Sequence, residues 1–220
     1  MRAGVGAVLF DLDGTLVDSA PDLAGTVNDM LARRGRPAVA YEHLRPHAGS
    51  GARGMLGVAF GVAADHDGYE ALRLEFHDHY ATRMLEQSQV FGAAVAVLQA
   101  LDDHGLPWGI VTNKALRFAA PMVQALGLQR SAALVAGDST PHTKPHPAPL
   151  LEAARRLDLP PSACVYVGDD RRDMHAGRAA GMAVLAAAWG YLGTEHAPPH
   201  WGADGVLAQP GELLQWLELS

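Results

Sequence analysis

The chain of 220 residues holds a single cysteine, Cys164, so no internal disulfide can form. That cysteine sits in the apolar run Ala-Cys-Val-Tyr-Val, where a thiol reads as buried and inert, in keeping with a reducing cytoplasm. Positive charge is also scarce: 17 Lys and Arg face 24 Asp and Glu, leaving a formal charge of −7. Without a basic footprint, sequence-independent binding to nucleic acid or to anionic lipid lacks its electrostatic drive. No apolar run approaches the length of a membrane span, and the first one meets Asp11 too early for a signal-peptide core. Repeats, low-complexity tracts and charge blocks are missing as well. What remains is the composition of a soluble, unexported globular protein, 49% hydrophobic and long enough for a core domain carrying a smaller inserted one.

Short apolar runs alternate with amphipathic stretches. Val5 to Phe10, Trp108 to Val111, Ala133 to Ala136, Cys164 to Val167 and Ala183 to Ala188 have strand length and β-branched content. Between them, Ala93 to His104, Arg117 to Leu126 and Pro149 to Leu157 have helical periodicity, the first two closed by Gly105 and Gly127. Strand and helix in alternation predict an α/β fold, a Rossmann-like parallel sheet covered on both faces. One interval breaks the pattern. From Asp18 to Gln87 no strand is legible, and Pro21 to Arg34, Tyr41 to His47, Ala52 to Phe60 and Tyr69 to Glu86 all read as helices. Such a length exceeds one crossover, so an all-helical cap over residues 18–87 is expected, with residues 1–17 and 88–220 forming the core.

Polar residues follow the strand ends. Asp11 and Asp13 flank Leu12 just past the first strand, with Gly14 to turn the chain; an EF-hand would continue with further ligands, whereas Leu16 and Val17 follow. Thr112 and Asn113 follow the second strand and could donate to phosphate oxygens, although such a pair is also an ordinary turn. Lys144 stands between prolines before a helix, and Asp169 and Asp173 follow the fourth strand, where acids also serve as helix N-caps. Their convergence on one sheet edge is what carries weight, because ligands bind at that edge. Four aspartates gathered there repel one another and require a cation. Oxygen ligands without thiolates or paired histidines select a hard ion, Mg²⁺ over Zn²⁺, and an anionic substrate needs the local positive charge of that ion and of Lys144.

These four motifs, in this order and over the whole chain, resemble the haloacid dehalogenase-like phosphatases. The resemblance implies that Asp11 is a nucleophile forming an aspartyl-phosphate and that Asp13 protonates the leaving oxygen and then activates water. It also implies that Thr112, Asn113 and Lys144 bind the phosphoryl group. Asp11, the main-chain oxygen of Asp13 and Asp169 would hold Mg²⁺, with Asp173 in support. A carboxylate nucleophile splits ester hydrolysis into two easier steps, and a nearby acid can serve both. A dehalogenase would not need Asp13. A phosphomutase shares the motifs, and a former enzyme kept as a binding module would have shown the loss of Asp11 or Asp13.

The segment Leu-Phe-Asp-Leu-Asp-Gly-Thr-Leu-Val-Asp-Ser-Ala-Pro-Asp-Leu and the helical cap are similar to phosphoglycolate phosphatases. Val-Thr-Asn-Lys-Ala-Leu-Arg-Phe-Ala-Ala-Pro and His200 to Asp204 are similar to N-acetylmuramic acid 6-phosphate phosphatases. The expected partner is a small phosphorylated metabolite, with phosphoglycolate ranked first, acted on by a monomer or homodimer. Within the cap, the glycine-rich loop carrying Ser50 and Arg53 is the candidate for substrate selection, since Arg53 could pair with a carboxylate; a solvated arginine fits equally well. Of the 11 histidines none has metal spacing, and His77 and His79 are expected at the surface.

Overall fold

The computed structural model describes residues 2–193 and 198–219. Six parallel strands build the main sheet: β1 (Ala7–Phe10), β4 (Trp108–Val111), β5 (Ala133–Val135), β6 (Cys164–Gly168), β7 (Ala183–Ala187) and β8 (Gly205–Leu207). Their spatial order is β5-β4-β1-β6-β7-β8. The chain therefore builds outward from β1 through β4 to β5, then crosses to the other flank of β1 for β6. That reversal makes the carboxyl ends of β1, β4 and β6 a topological switch point, the usual crevice for ligands in such sheets. Five strands match the sequence reading; β8 was not foreseen, because Gly-Val-Leu is too short to stand out among the flanking polar residues.

Alternation along the strands sorts the core into two layers. Val8 and Phe10 of β1 face one way and join the packing of α5 (Gly92–Asp103), α6 (Leu116–Ala125) and α9 (Glu212–Trp216). Ala7 and Leu9 face the other way, against α7 (Ala148–Arg156) and α8 (Arg171–Ala180). Cys164 lies in this second layer, where burial pushes its thiol up.

Everything between residues 20 and 83 that is regular is helical: α1 (Ala20–Ala32), α2 (Tyr41–Leu44), a 3₁₀ turn over Arg45–Ser50, α3 (Gly51–Phe60) and α4 (Tyr69–Arg83). Flanking this insertion is a feature absent from the sequence reading, a two-stranded antiparallel ribbon of β2 (Val17–Asp18) and β3 (Gln89–Val90). Two residues per strand leave no periodicity to detect, and only the pairing reveals them. The buried residues of the insertion do not close a core of their own; they form one continuous cluster with the first sheet face, joined where Tyr80 of α4 meets Phe118 of α6 edge to face at 5.4 Å. Among the described residues no helix is long and apolar enough to cross a membrane.

Candidate active site

Asp11 leaves the end of β1 with its amide donating to Val167 of β6, and its own carboxylate accepts the Leu12 amide at 2.8 Å. The chain then turns at Gly14, whose φ of +86° suits glycine and whose missing side chain leaves room for Asp169: a Cβ there would lie 2.2 Å from a carboxylate oxygen. Gly190 cradles the same aspartate from the other side, where a Cβ would lie 2.2 Å from that of Asp169. Between these glycines, Asp169 accepts the Thr15 hydroxyl at 3.0 Å and the Tyr191 amide at 2.8 Å.

Asp11, Asp169 and Asp173 bring carboxylate oxygens to within 4.8 Å of one another. Burial, with the neighbouring carboxylates, raises Asp11 to about 7 and pushes Asp169 well above the usual carboxylate range, against the pull of Lys144 on Asp11. Lys144 answers part of this charge. Its ammonium lies 2.8 Å from both Asp11 and Asp173, and also meets the Val111 carbonyl at 3.0 Å and the Tyr166 hydroxyl at 2.7 Å. Burial presses the lysine toward neutrality, but the two carboxylates outweigh it and hold the ammonium above its ordinary value. Fully ionised, three carboxylates against one ammonium carry an excess of two negative charges, which a hard divalent cation would match in charge and in donor chemistry. The buried acidic cluster thus fits a divalent metal ion.

The remaining expected residues have distinct surroundings. Thr112 is buried and its hydroxyl oxygen accepts the Lys114 amide at 3.1 Å. The Asn113 side chain braces the lysine backbone, its amide donating to the Lys144 carbonyl and its oxygen accepting the Lys144 amide, both at 2.9 Å. Asp173 is occupied too: it takes the Asp170 amide in a reciprocal N-cap of α8, besides Lys144 and Tyr166. Asp13 stands apart from the acidic trio, its carboxylate held by Ser19 at 2.5 Å and by Lys114 at 2.8 and 3.1 Å.

Above these residues lies a cavity of about 420 Å³ that reaches from Asp11 to the insertion, where Ser50, Arg53, Arg73 and His77 line it. Arg53 is exposed at its edge. His77 is not the surface residue the sequence suggested: it is half-buried, with the Arg117 guanidinium donating to its Nδ1 at 3.0 Å and Arg73 at 3.4 Å. Helical spacing put it at the surface because the packing of α6 against α4 is not visible in local sequence. Lys114 was also overlooked, although it directly follows Thr112 and Asn113 in the same polar turn. Tyr166 was hidden inside its apolar strand.

A parallel sheet of this order with acids at its switch point is a Rossmann-like α/β fold with a charged ligand crevice, and comparison supplies the family. Residues 8–187 match the family model described as haloacid dehalogenase-like hydrolase. A phosphoglycolate phosphatase of Xanthomonas campestris is 48% identical over 208 residues, covering 94% of each chain. An N-acetylmuramic acid 6-phosphate phosphatase of Pseudomonas aeruginosa is 42% identical over 218 residues, covering 99% of this chain and 96% of the relative. A crystal structure described as a predicted phosphoglycolate phosphatase from Haemophilus somnus superposes with a TM-score of 0.86 at 26% identity, covering 99% of this chain and all of that one. The chain belongs to the haloacid dehalogenase-like hydrolases. It is an enzyme, and both curated relatives carry the names of phosphatases.

Proposed function

We propose that this enzyme is a Mg²⁺-dependent phosphomonoester hydrolase that works through an aspartyl-phosphate, with 2-phosphoglycolate as its substrate. One observation carries the reading: the Asp11 carboxylate, which lines the cavity, is bridged by Lys144 to Asp173 within an acidic trio. Asp11 attacks phosphorus; the ester P–O bond breaks as a P–O bond to Asp11 forms, and Asp13 gives its proton to the departing alkoxide. In the second step Asp13 takes a proton from water, which attacks the phosphorus and frees Asp11 and inorganic phosphate. Thr112, Asn113 and Lys144 serve the phosphoryl group, Thr112 and Lys144 by contact and Asn113 through the lysine backbone it braces. Asp11, Asp169, Asp173 and the main-chain oxygen of Asp13 would hold Mg²⁺, which supplies electrostatic stabilisation of the transferring phosphoryl charge.

The insertion over residues 18–87 acts as a cap domain hinged on the β2–β3 ribbon, closing over bound ester and keeping bulk water out. Arg53 and Ser50 meet the far end of the substrate, a carboxylate in this reading. The enzyme works in a reducing cytoplasm, as a monomer or homodimer.

A second reading, hydrolysis of N-acetylmuramic acid 6-phosphate, draws support from cavity size. About 420 Å³ is far more than a two-carbon acid fills and lies within the roughly 300–1,000 Å³ range of pockets for larger ligands. Both esters carry a carboxylate, so kcat/KM for the two, measured by phosphate release with Mg²⁺, decides between them. A preference for the sugar phosphate overturns the first choice, and no phosphate release from either, or from a panel of phosphate esters, overturns the hydrolase reading.

A further inference from the structure

Lys114 has no assigned part in the chemistry above, yet it is almost fully buried against two residues from opposite sides of the cleft. Its ammonium donates to both oxygens of Asp13, at 2.8 and 3.1 Å, and lies 4.8 Å from the ring centroid of Tyr80 on α4. Two readings of a buried ammonium at this place compete. It could neutralise phosphoryl charge, as Lys144 is proposed to do, or it could hold Asp13 in position.

The contacts separate these. Lys144 is directed at Asp11 and Asp173, whereas Lys114 spends its hydrogen bonds on Asp13. The Asp13 Oδ1 atom takes both the Ser19 hydroxyl and the shorter Lys114 contact, while Oδ2 takes only the longer one. Oδ1 is therefore the anchored oxygen and Oδ2 the one available for proton transfer. Tyr80 fixes the lysine from the far side. It is buried, stacked on Phe76 at 6.0 Å and edge to face with Phe118 at 5.4 Å, so its ring is held rigidly where the ammonium meets it.

We propose that Lys114, clamped between Asp13 and the Tyr80 ring, is the positioning residue for the proton-transferring carboxylate, so that the seating of α4 over the core sets the geometry of leaving-group protonation. This rests on the reading of Asp13 as the acid. Proton balance is simple: the proton passes from Asp13 Oδ2 to the bridging ester oxygen as its bond to phosphorus breaks, and Lys114 stays an ammonium throughout.

Leaving-group dependence tests it, because a poor alkoxide leaving group needs the acid and an activated phenolate does not. kcat/KM is measured with Mg²⁺ for an alkyl phosphate and for 2,4-dinitrophenyl phosphate on the wild type, Lys114→Met and Asp13→Asn, with melting temperatures recorded. In Lys114→Met the alkyl ester should lose ~10²-fold and the aryl ester only ~3-fold, a selective loss at the low end of general-acid contributions. Equal losses for both esters would show that the lysine serves the phosphoryl charge, and overturn the proposal; so would no loss. If Lys114→Met fails to fold, Tyr80→Leu, which leaves the lysine in place, should show the same bias toward loss on the alkyl ester, and an unbiased effect overturns the proposal. Asp13→Asn keeps the two failures apart: should it hydrolyse the alkyl ester normally, the acid assignment itself is wrong, whereas selective loss there with uniform loss in Lys114→Met condemns only the role of the lysine.

Discussion

Lys144 holds Asp11 at 2.8 Å from its ammonium, so the attacking carboxylate is fixed by an ion pair from a loop 133 residues further along the chain. The same ammonium binds Asp173, and the pair of contacts ties the end of β1 to the start of α8. Substitutions at this bridge read chemistry more than folding. Asp11→Asn keeps an acceptor for the Leu12 amide and leaves Lys144 paired with Asp173. It should fold with an unchanged melting temperature yet lose turnover by ~10⁴-fold or more, as removal of a nucleophile does. Steady-state phosphate release checks this, and activity within tenfold of wild type would reject Asp11 as the nucleophile.

Metal removal should act on both activity and stability. Chelation is expected to silence the enzyme reversibly, and Mg²⁺ at a hundred times its Kd should stabilise the chelated protein by about 2.7 kcal/mol, the mass-action gain from binding the native state alone. Thermal melts with and without Mg²⁺ measure it. Full turnover in excess chelator, with negligible metal content, would rule out the acidic trio as a functional ion site.

Gly190→Ala introduces a methyl 2.2 Å from the present position of the Asp169 Cβ, so the aspartate must move. Because the change displaces a proposed ligand without removing its carboxylate, it should raise the Mg²⁺ concentration needed for half-maximal activity by about 10–100-fold, the usual effect of disturbing a ligand's support. Unchanged metal dependence would mean that Asp169 is not held to the geometry seen here.

The hinge has its own lock. Asp22 in the first turn of α1 is fully buried and accepts the amides of Gln87 and Ser88 and the Ser88 hydroxyl, joining both ends of the insertion. Asp22→Ala strands these donors and should cost about 1–3 kcal/mol in urea unfolding. A loss below 0.5 kcal/mol, roughly the noise of surface substitutions, would show that the hinge ends are secured elsewhere.

His77 gives a pH dependence. Burial, together with the Arg73 and Arg117 guanidinium groups, holds its imidazole below the usual histidine range. The unfolded chain therefore binds the proton more readily, so this group's contribution to stability is present above about pH 6.5 and is lost as pH falls toward the lowered folded value. The wild type should lose more melting temperature between pH 7.5 and 5.5 than His77→Gln does. Parallel profiles would place the acid sensitivity at other groups.

Much of the site was legible because its residues follow strand ends. Asp11, Thr112 and Asp169 sit where buried runs stop, and a parallel sheet delivers such positions to one edge whatever the loops do. Local sequence also marks helices well when their apolar faces are regular, as in α5 and α6. It does not mark short pairs held by partners far along the chain: β2 and β3 are strands only because Val17 meets Val90.

From the sequence alone came the alternation of strand and helix, the helical insertion and the acids at the strand ends, since each depends on residue order and periodicity within a few turns of chain. Only the tertiary structure decided which charges meet. That Lys144 faces Asp11 and Asp173 while Lys114 faces Asp13, that Asn113 braces a backbone, and that His77 stands between two arginines all follow from the packing of segments distant in sequence. Coulombic and hydrogen-bond energies depend on separations of a few ångströms, and no local pattern of residues encodes those.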